Sequence, residues 1–241
     1  MKKTDGTGSP AGGIGQLNER SLHRSLKAIY RKDGTTEADI GGYIVDILSR
    51  DGEIIEIQTK NLAAMRNKLA ALLPSHRVRV IHPVAAETII VLHDEEGGIR
   101  RRKSPKRGSV ESAAEELLYL EKLLPEPNLT VEIVLIRQQE LRTADGKGAR
   151  RRRGVSINDR RLIEVIGSVR FSETGDYLKL LPPELPPLFG NREIADTLTA
   201  VDKAGRLRLA GRLSWLLRKL GLIEVHGKEG RRLIFKLSSR T

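Results

Sequence analysis

Apolar residues recur at helical spacing between Ile14 and Tyr30, where Leu17, Leu22, Leu26 and Ile29 predict an amphipathic helix capped by Asn18 or Ser21. Runs rich in Val and Ile then predict strands over 40–49, 53–59, 78–82, 87–92 and 130–136. Between the second and third, "NLAAMRNKLAALLPSH" places Leu62, Met65, Leu69 and Leu72 or Leu73 on one helix face, and Pro74 ends it. Another helix is expected over 109–124, ahead of "PEPN". This order of helix, hairpin, helix, strands and helix predicts an α/β domain, a mixed sheet flanked by helices.

The pattern then breaks. "RTADGKGARRRRGV" has no apolar period, which puts a domain boundary near 154, with a flexible tail over 1–13, an α/β domain over 14–154 and a second domain over 155–241. The proline-rich "LPPELPPLFG" at 181–190 reads as stiff and extended. After it come a helix near 191–199, a turn at "AVDKAG", a longer helix over 206–220, and a hairpin around Gly227 and Gly230. With "ETGDYLKLL" at 173–181 as a first helix, the string resembles a winged helix-turn-helix domain, which implies DNA or protein binding.

The stretch "YIVDILSRDGEIIEIQTK" carries the candidate chemistry. A three-residue loop with Gly52 in the left-handed conformation sets Ser49 against Glu53 and Asp46 directly against Glu56. Alternation then sends Glu56, Gln58 and Lys60 to one side and Val45, Ile47, Ile55 and Ile57 to the core. Two carboxylates about 5 Å apart repel unless a cation sits between them. Oxygen ligands without cysteine or clustered histidine point to Mg²⁺ or Mn²⁺. The other reading is an exposed hairpin face satisfied by Lys60 and Arg50. Glu37 and Asp39 in "TTEAD" could supply the aspartate instead, and His23 reads as a helix-surface residue.

The pattern Asp46, Glu56, one residue, Gln58, then Lys60, preceded by a helix with Glu19, resembles the PD-(D/E)XK nuclease superfamily over roughly residues 14–136. The resemblance implies a restriction-endonuclease-like fold. It also implies a metal held by Asp46, Glu56 and the Ile57 carbonyl, with Glu19 touching the ion or its waters. Gln58 or Lys60 would position the attacking water for phosphodiester hydrolysis. Two departures are Gln58 in the lysine position and the lack of a proline before Asp46. The strings "GQLNERSLHRSLK" and "EIIEIQTKN" also resemble an uncharacterised prokaryotic family, which implies no function.

Charge sharpens the choice of partner. The formal net charge is +12, and "RRRKSPKR" at 100–107, "KGARRRR" at 147–153 and residues 203–236 form three basic zones, a distribution suited to a long polyanion. With only three Phe, four Tyr and one Trp, base-stacking platforms are scarce, so double-stranded DNA is the expected partner. Arg101, Arg102, Arg151 and Arg152 would reach phosphates from loops, Arg208, Arg212 and Lys219 from the longer helix, and Lys228, Arg231 and Arg232 from the hairpin. In that helix Leu209, Leu213, Leu216 and Leu220 form the packing stripe, and Trp215 falls on the cationic one.

The absence of cysteine excludes disulfides and thiolate metal sites. No apolar run approaches the length of a membrane span and no signal-peptide pattern opens the chain, so a cytoplasmic protein without a membrane partner is expected. Three functional classes follow: a Mg²⁺-dependent DNA endonuclease, with a homodimer as one way to cut both strands; a non-catalytic DNA-binding regulator on a degenerate nuclease fold; and a protein-interaction adaptor, whose binding would be insensitive to salt.

Overall fold

The computed structural model describes residues 21–94, 97–198 and 202–239, and of Arg151 the backbone alone. The expected tail, Glu19 and the Arg151 side chain lie outside the described residues. The chain runs through helix α1 (Ser21–Arg31), strands β1 (Thr35–Ile40), β2 (Tyr43–Leu48) and β3 (Ile54–Ile57), and a 3-10 turn leading into α2 (Arg66–Leu72). It continues through β4 (Val78–His93), β5 (Ile99–Lys103), a broken helix containing α3 (Ala114–Leu117), β6 (Leu129–Ala144) and β7 (Val155–Phe171). A 3-10 segment (Thr174–Leu180), α4 (Asn191–Thr197), α5 (Lys203–Lys219), β8 (Ile223–Glu229) and β9 (Arg232–Leu237) complete it.

The first seven strands form one mixed sheet in the order β1-β2-β3-β4-β6-β7, with β5 pairing the far end of β4. Strands β3, β4 and β6 are parallel to one another, and the other pairings are antiparallel. Both sheet faces are covered, as parallel strands require. Leu22 and Leu26 of α1 pack with Ile55, Ile57, Ile81, Val134 and Ile136 on one face. On the other face Ile54, Val78, Val80, Val131 and Ile133 meet Leu69, Leu72, Leu117 and Leu120. The expected α/β class, a mixed sheet flanked by helices, is what the chain builds.

Several element boundaries differ from expectation for identifiable reasons. Residues 78–93 are one strand, not two: Pro83 has no N–H to donate, and it is tolerated because β3 stops opposite Ile81 and β5 begins only at Ile89, leaving that edge of β4 unpaired between them. The expected strand over 40–49 is split by a turn at Gly41 and Gly42, both at positive φ. "IRRRK" at 99–103 is a strand in which every residue is exposed, rather than the expected loop.

The domain boundary expected near 154 is also displaced. Strand β7 pairs with β6 from Ala144↔Val155 to Val131↔Phe171, so the Gly and Arg loop turns a long hairpin inside one sheet. The C-terminal elements begin only after Phe171, and their leucines join the α2–α3 core, where Leu209, Leu213 and Leu216 share a cluster with Leu117 and Leu120. No helix among the described residues is long and apolar enough to cross a membrane.

Candidate functional site

The hairpin turn forms as its sequence dictates. Gly52 sits at φ 79° and Ser49 N–H donates to the Glu53 carbonyl at 2.9 Å. Ladder pairing runs through Leu48↔Ile54 and Ile47↔Ile55, which places Asp46 next against Glu56. There the ladder opens. The Ile57 N–H donates to Asp46 Oδ2 at 2.8 Å, and the Asp46 N–H donates to Glu56 Oε1 at 3.3 Å, so each carboxylate takes a main-chain donor in place of a strand-to-strand bond.

Side-chain alternation changes phase at this opening. Ile47 packs on the α1 face, but Val45, two residues away, packs with the α2 core. Opposite Asp46 in the β1 register stands Glu37, at φ 57°. The carboxylates therefore do not share one solvent face with Gln58 and Lys60, as alternation predicted. Asp46 meets α1, where His23 Nε2 lies 3.2 Å from Oδ2 and Lys27 Nζ lies 3.8 Å from Oδ1. Glu56 meets α2, where Lys68 Nζ lies 2.6 Å from Oε1 and also donates to the Ile44 carbonyl at 2.6 Å.

These neighbours split the two carboxyl groups electrostatically. Burial raises the Asp46 pKa, but the His23 hydrogen bond and charge, the Ile57 N–H and Lys27 outweigh it, so this carboxyl sits below the ordinary range. Burial is also the largest influence on Glu56; Lys68 opposes it, the Asp46 charge adds to it, and the pKa ends above the ordinary value. A pair with one pKa pushed down and the other up, at the opening of a ladder, is the kind of arrangement that marks functional sites.

The other expected site residues lie elsewhere. Gln58 donates its side-chain amide to the Asn61 carbonyl at 3.0 Å. Lys60 is exposed at the rim of a cavity of about 270 Å³ that it shares with Leu22, Pro83, Gln138 and Arg160. Asp39 accepts from the Gly42 N–H in its turn, and Glu37 shares Lys27 with Asp46. His23, Lys27 and Lys68 were missed as members of the site. The i,i+4 spacing of His23 and Lys27, on the face that also carries Leu22 and Leu26, was the available signal for the first two.

Among the expected DNA contacts, Arg212 is held by Glu115 of α3, Arg232 forks onto Glu193 at 2.8 and 3.2 Å, and Arg152 Nε donates to the Val155 carbonyl at 3.2 Å. Lys219 stacks over Trp215 with its ammonium 5.4 Å from the ring centre. Arg101, Arg102, Arg208, Lys228 and Arg231 are exposed.

A divalent ion is compatible with the donors present. Glu56 Oε2 has no hydrogen bond among the described residues, and Asp46 Oδ1 has only the 3.8 Å lysine contact. No group of three or more His, Asp and Glu side chains suited to a metal occurs among the described residues. Mg²⁺ commonly takes only one or two carboxylates, completing its shell with water and substrate phosphate.

No solved structure matches the chain. An uncharacterized protein of Treponema pallidum (strain Nichols) is 35% identical over 225 residues, which covers 92% of this chain and 87% of that protein. Residues 20–172 match one family over a span that begins beside α1 and ends one residue beyond β7, so the matched unit is the seven-stranded sheet with its helices. The chain belongs to that family, described as "Domain of unknown function (DUF8091)".

Proposed function

We propose that the protein is a metal-dependent phosphodiester hydrolase of the PD-(D/E)XK kind acting on DNA. The observation that carries this reading is the Asp46–Glu56 pair, opposed in register where the β2–β3 ladder opens and given opposite pKa shifts by its surroundings, with lysines reaching it from two helices. The order of α1, the β1-β2-β3 meander, α2 and parallel β4 is consistent with the nuclease fold that the resemblance implied. Asp46, Glu56 and the Ile57 carbonyl would hold Mg²⁺ or Mn²⁺, with Glu19 as a further ligand.

Such an ion, when bound, supplies Lewis-acid polarisation of a phosphate and a water of lowered pKa. The chain's own contribution is to keep Asp46 ionised and both carboxylates aimed. His23 and Lys27 hold Asp46 as a carboxylate, and the Ile57 N–H fixes its orientation. Lys68 ties Glu56 to the Ile44 carbonyl and offers the positive charge near the reacting phosphate that Gln58 cannot.

In this reading the C-terminal elements form a winged helix. The 3-10 segment, α4, α5 and the β8–β9 hairpin come in that order, and Phe189 bridges to Phe235 of β9 as a third short strand would. Exposed Lys228 and Arg231 at the hairpin tip are placed to meet phosphates of a duplex.

A second reading, a DNA-binding regulator without catalysis, is favoured by Gln58 in the lysine position and by Lys68 already neutralising Glu56. One experiment separates the two. Supercoiled and branched DNA is incubated with Mg²⁺ and wild-type protein, Asp46→Ala or Glu56→Ala, each variant first checked for its fold by circular dichroism. The hydrolase reading expects cleavage lost in both variants with DNA binding retained. Cleavage that survives both substitutions, or binding without any cleavage, overturns it.

A further inference from the structure

A concave surface with an excess of cations lies away from the carboxylate pair. Where β4 has lost β3 and not yet gained β5, its unpaired edge is met by the loop 104–108: Ser104 N–H donates to the Thr88 carbonyl and Gly108 N–H to the Ala85 carbonyl, both at 2.8 Å. The loop, the C-terminal part of β6, Arg160 of β7 and α5 surround a cavity of about 400 Å³. Five cations line it, Lys106, Arg107, Arg142, Arg160 and Arg208, against two carboxylates, each already held by arginine.

Two of these cations are fixed in advance. Glu140, a buried carboxylate, takes Arg142 at 2.6 Å and Arg160 at 2.9 Å, which orients both guanidinium groups and leaves their remaining N–H donors for a ligand. The cavity adjoins the smaller one at Lys60, since Pro83, Ala85, Gln138 and Arg160 line both. Taken together, the two cavities form a candidate groove with Arg208 of α5 in one part and Lys60, four residues past Glu56, in the other. Among the described residues no aromatic side chain lines either part.

We infer that this groove binds the phosphodiester backbone of a single, unpaired nucleic-acid strand. A row of oriented cations recognises phosphates and not bases, a contact that needs no stacking ring. A volume of about 400 Å³, at the lower end of the usual ~300–1,000 Å³ for small-molecule pockets, has room for one backbone and not for a whole duplex inside it. Because Arg208 belongs to α5 and the other four cations to the sheet and its loop, both halves of the molecule grip the same strand. The inference rests on the proposed function only in naming nucleic acid as the polymer. It narrows the substrate to DNA with an unpaired strand next to a duplex.

The test is fluorescence anisotropy of the full-length protein in EDTA with a labelled single strand, a blunt duplex and a duplex carrying a single-stranded tail. Arg107→Gln combined with Arg208→Gln is the informative variant, because both side chains are exposed and make no ion pair among the described residues. The variant is expected to bind the single strand and the tailed duplex at least tenfold more weakly and the blunt duplex within twofold of wild type. Its slope of log K against log salt on the single strand should be shallower by about 1.4, at ~0.7 for each phosphate that an arginine no longer neutralises.

Lys228→Gln with Arg231→Gln should show the reverse preference. An unchanged affinity for the single strand in the Arg107, Arg208 variant, or an equal loss on all three DNAs, overturns the assignment. So does displacement of the strand by pyrophosphate at the strand's own concentration, which would mark a site for free polyphosphate. Since no metal is present, failure of the cleavage experiment leaves this result standing, and the converse also holds.

Discussion

Asp46 and Glu56 are the same kind of group ten residues apart, yet their surroundings give them opposite consequences for stability. The Asp46 pKa is depressed by His23, the Ile57 N–H and Lys27, so its charge stabilises the fold above the unfolded-state value of ~3.9, and that contribution is lost as pH falls through the folded value. The Glu56 pKa is raised, so its ionisation disfavours the fold at neutral pH, and that penalty disappears below ~4.3. Asp46→Asn should therefore destabilise the protein at pH 7, by about 1.5–3 kcal/mol, the range for a hydrogen bond to a charged group. Glu56→Gln should stabilise it slightly at pH 7 and not at pH 4. Urea unfolding at the two pH values reads both signs, and a stabilising Asp46→Asn at pH 7 would contradict the electrostatic picture. Lys68→Met removes the cation from Glu56 and should raise that carboxyl further, so that Glu56→Gln stabilises by more in the Lys68→Met background than alone. Additive effects in that double-mutant cycle would mean that Lys68 and Glu56 do not interact.

At the scale of elements, what was legible in the sequence is what neighbouring residues decide. Gly52 and a three-residue loop fix a register by themselves, and so the opposition of Asp46 and Glu56 could be read in advance. The change of phase at Asp46 could not, because it depends on strand β1 and on helices from either side of the sheet reaching into the gap. Strand β7 was missed because register shifts at three places interrupt its period of two, and Ile163 and Ile166, which fall at two of them, stand exposed. Those irregularities twist an edge strand 17 residues long, one of the devices that hinder edge-to-edge pairing between copies. Strand β4 was divided in two by Pro83, whose tolerance only the sheet order explains. The loop 104–108 depends on close approach instead: a Cβ on Gly108 would stand 2.5 Å from Val84 Cγ1 and 2.9 Å from the Ala85 carbonyl oxygen. Gly108→Ala should cost about 1–3 kcal/mol and lift the loop from β4. Hydrogen exchange would show it as faster exchange at the Gly108 and Ser104 amides, and unchanged protection there would mean that the loop is held by something other than this contact.

At the scale of the molecule, the expectation of two domains meets a core that does not divide. The helices after Phe171 place Leu209, Leu213 and Leu216 in one continuous cluster with Leu117, Leu120 and the strands behind them. Arg212 is bound to Glu115 across the same junction. Helix α5 therefore turns part of its cationic stripe toward the sheet, which is why Arg208, though exposed, lines the cavity between them. A C-terminal unit tethered by a mobile linker would unfold independently of the sheet; one that shares its apolar core should melt with it. Trp215, the sole tryptophan, lies on α5 and reports on the C-terminal half, whereas far-ultraviolet circular dichroism is weighted by the strands and helices of the whole chain. The two signals should trace one transition with a common midpoint in urea. Leu213→Ala, which empties a fully buried site at the junction, should lower that midpoint for both probes together, by an amount equivalent to about 2–5 kcal/mol. A tryptophan transition that precedes the circular dichroism change would instead mean that the two halves fold separately. The groove between them would then form only when a ligand holds them together.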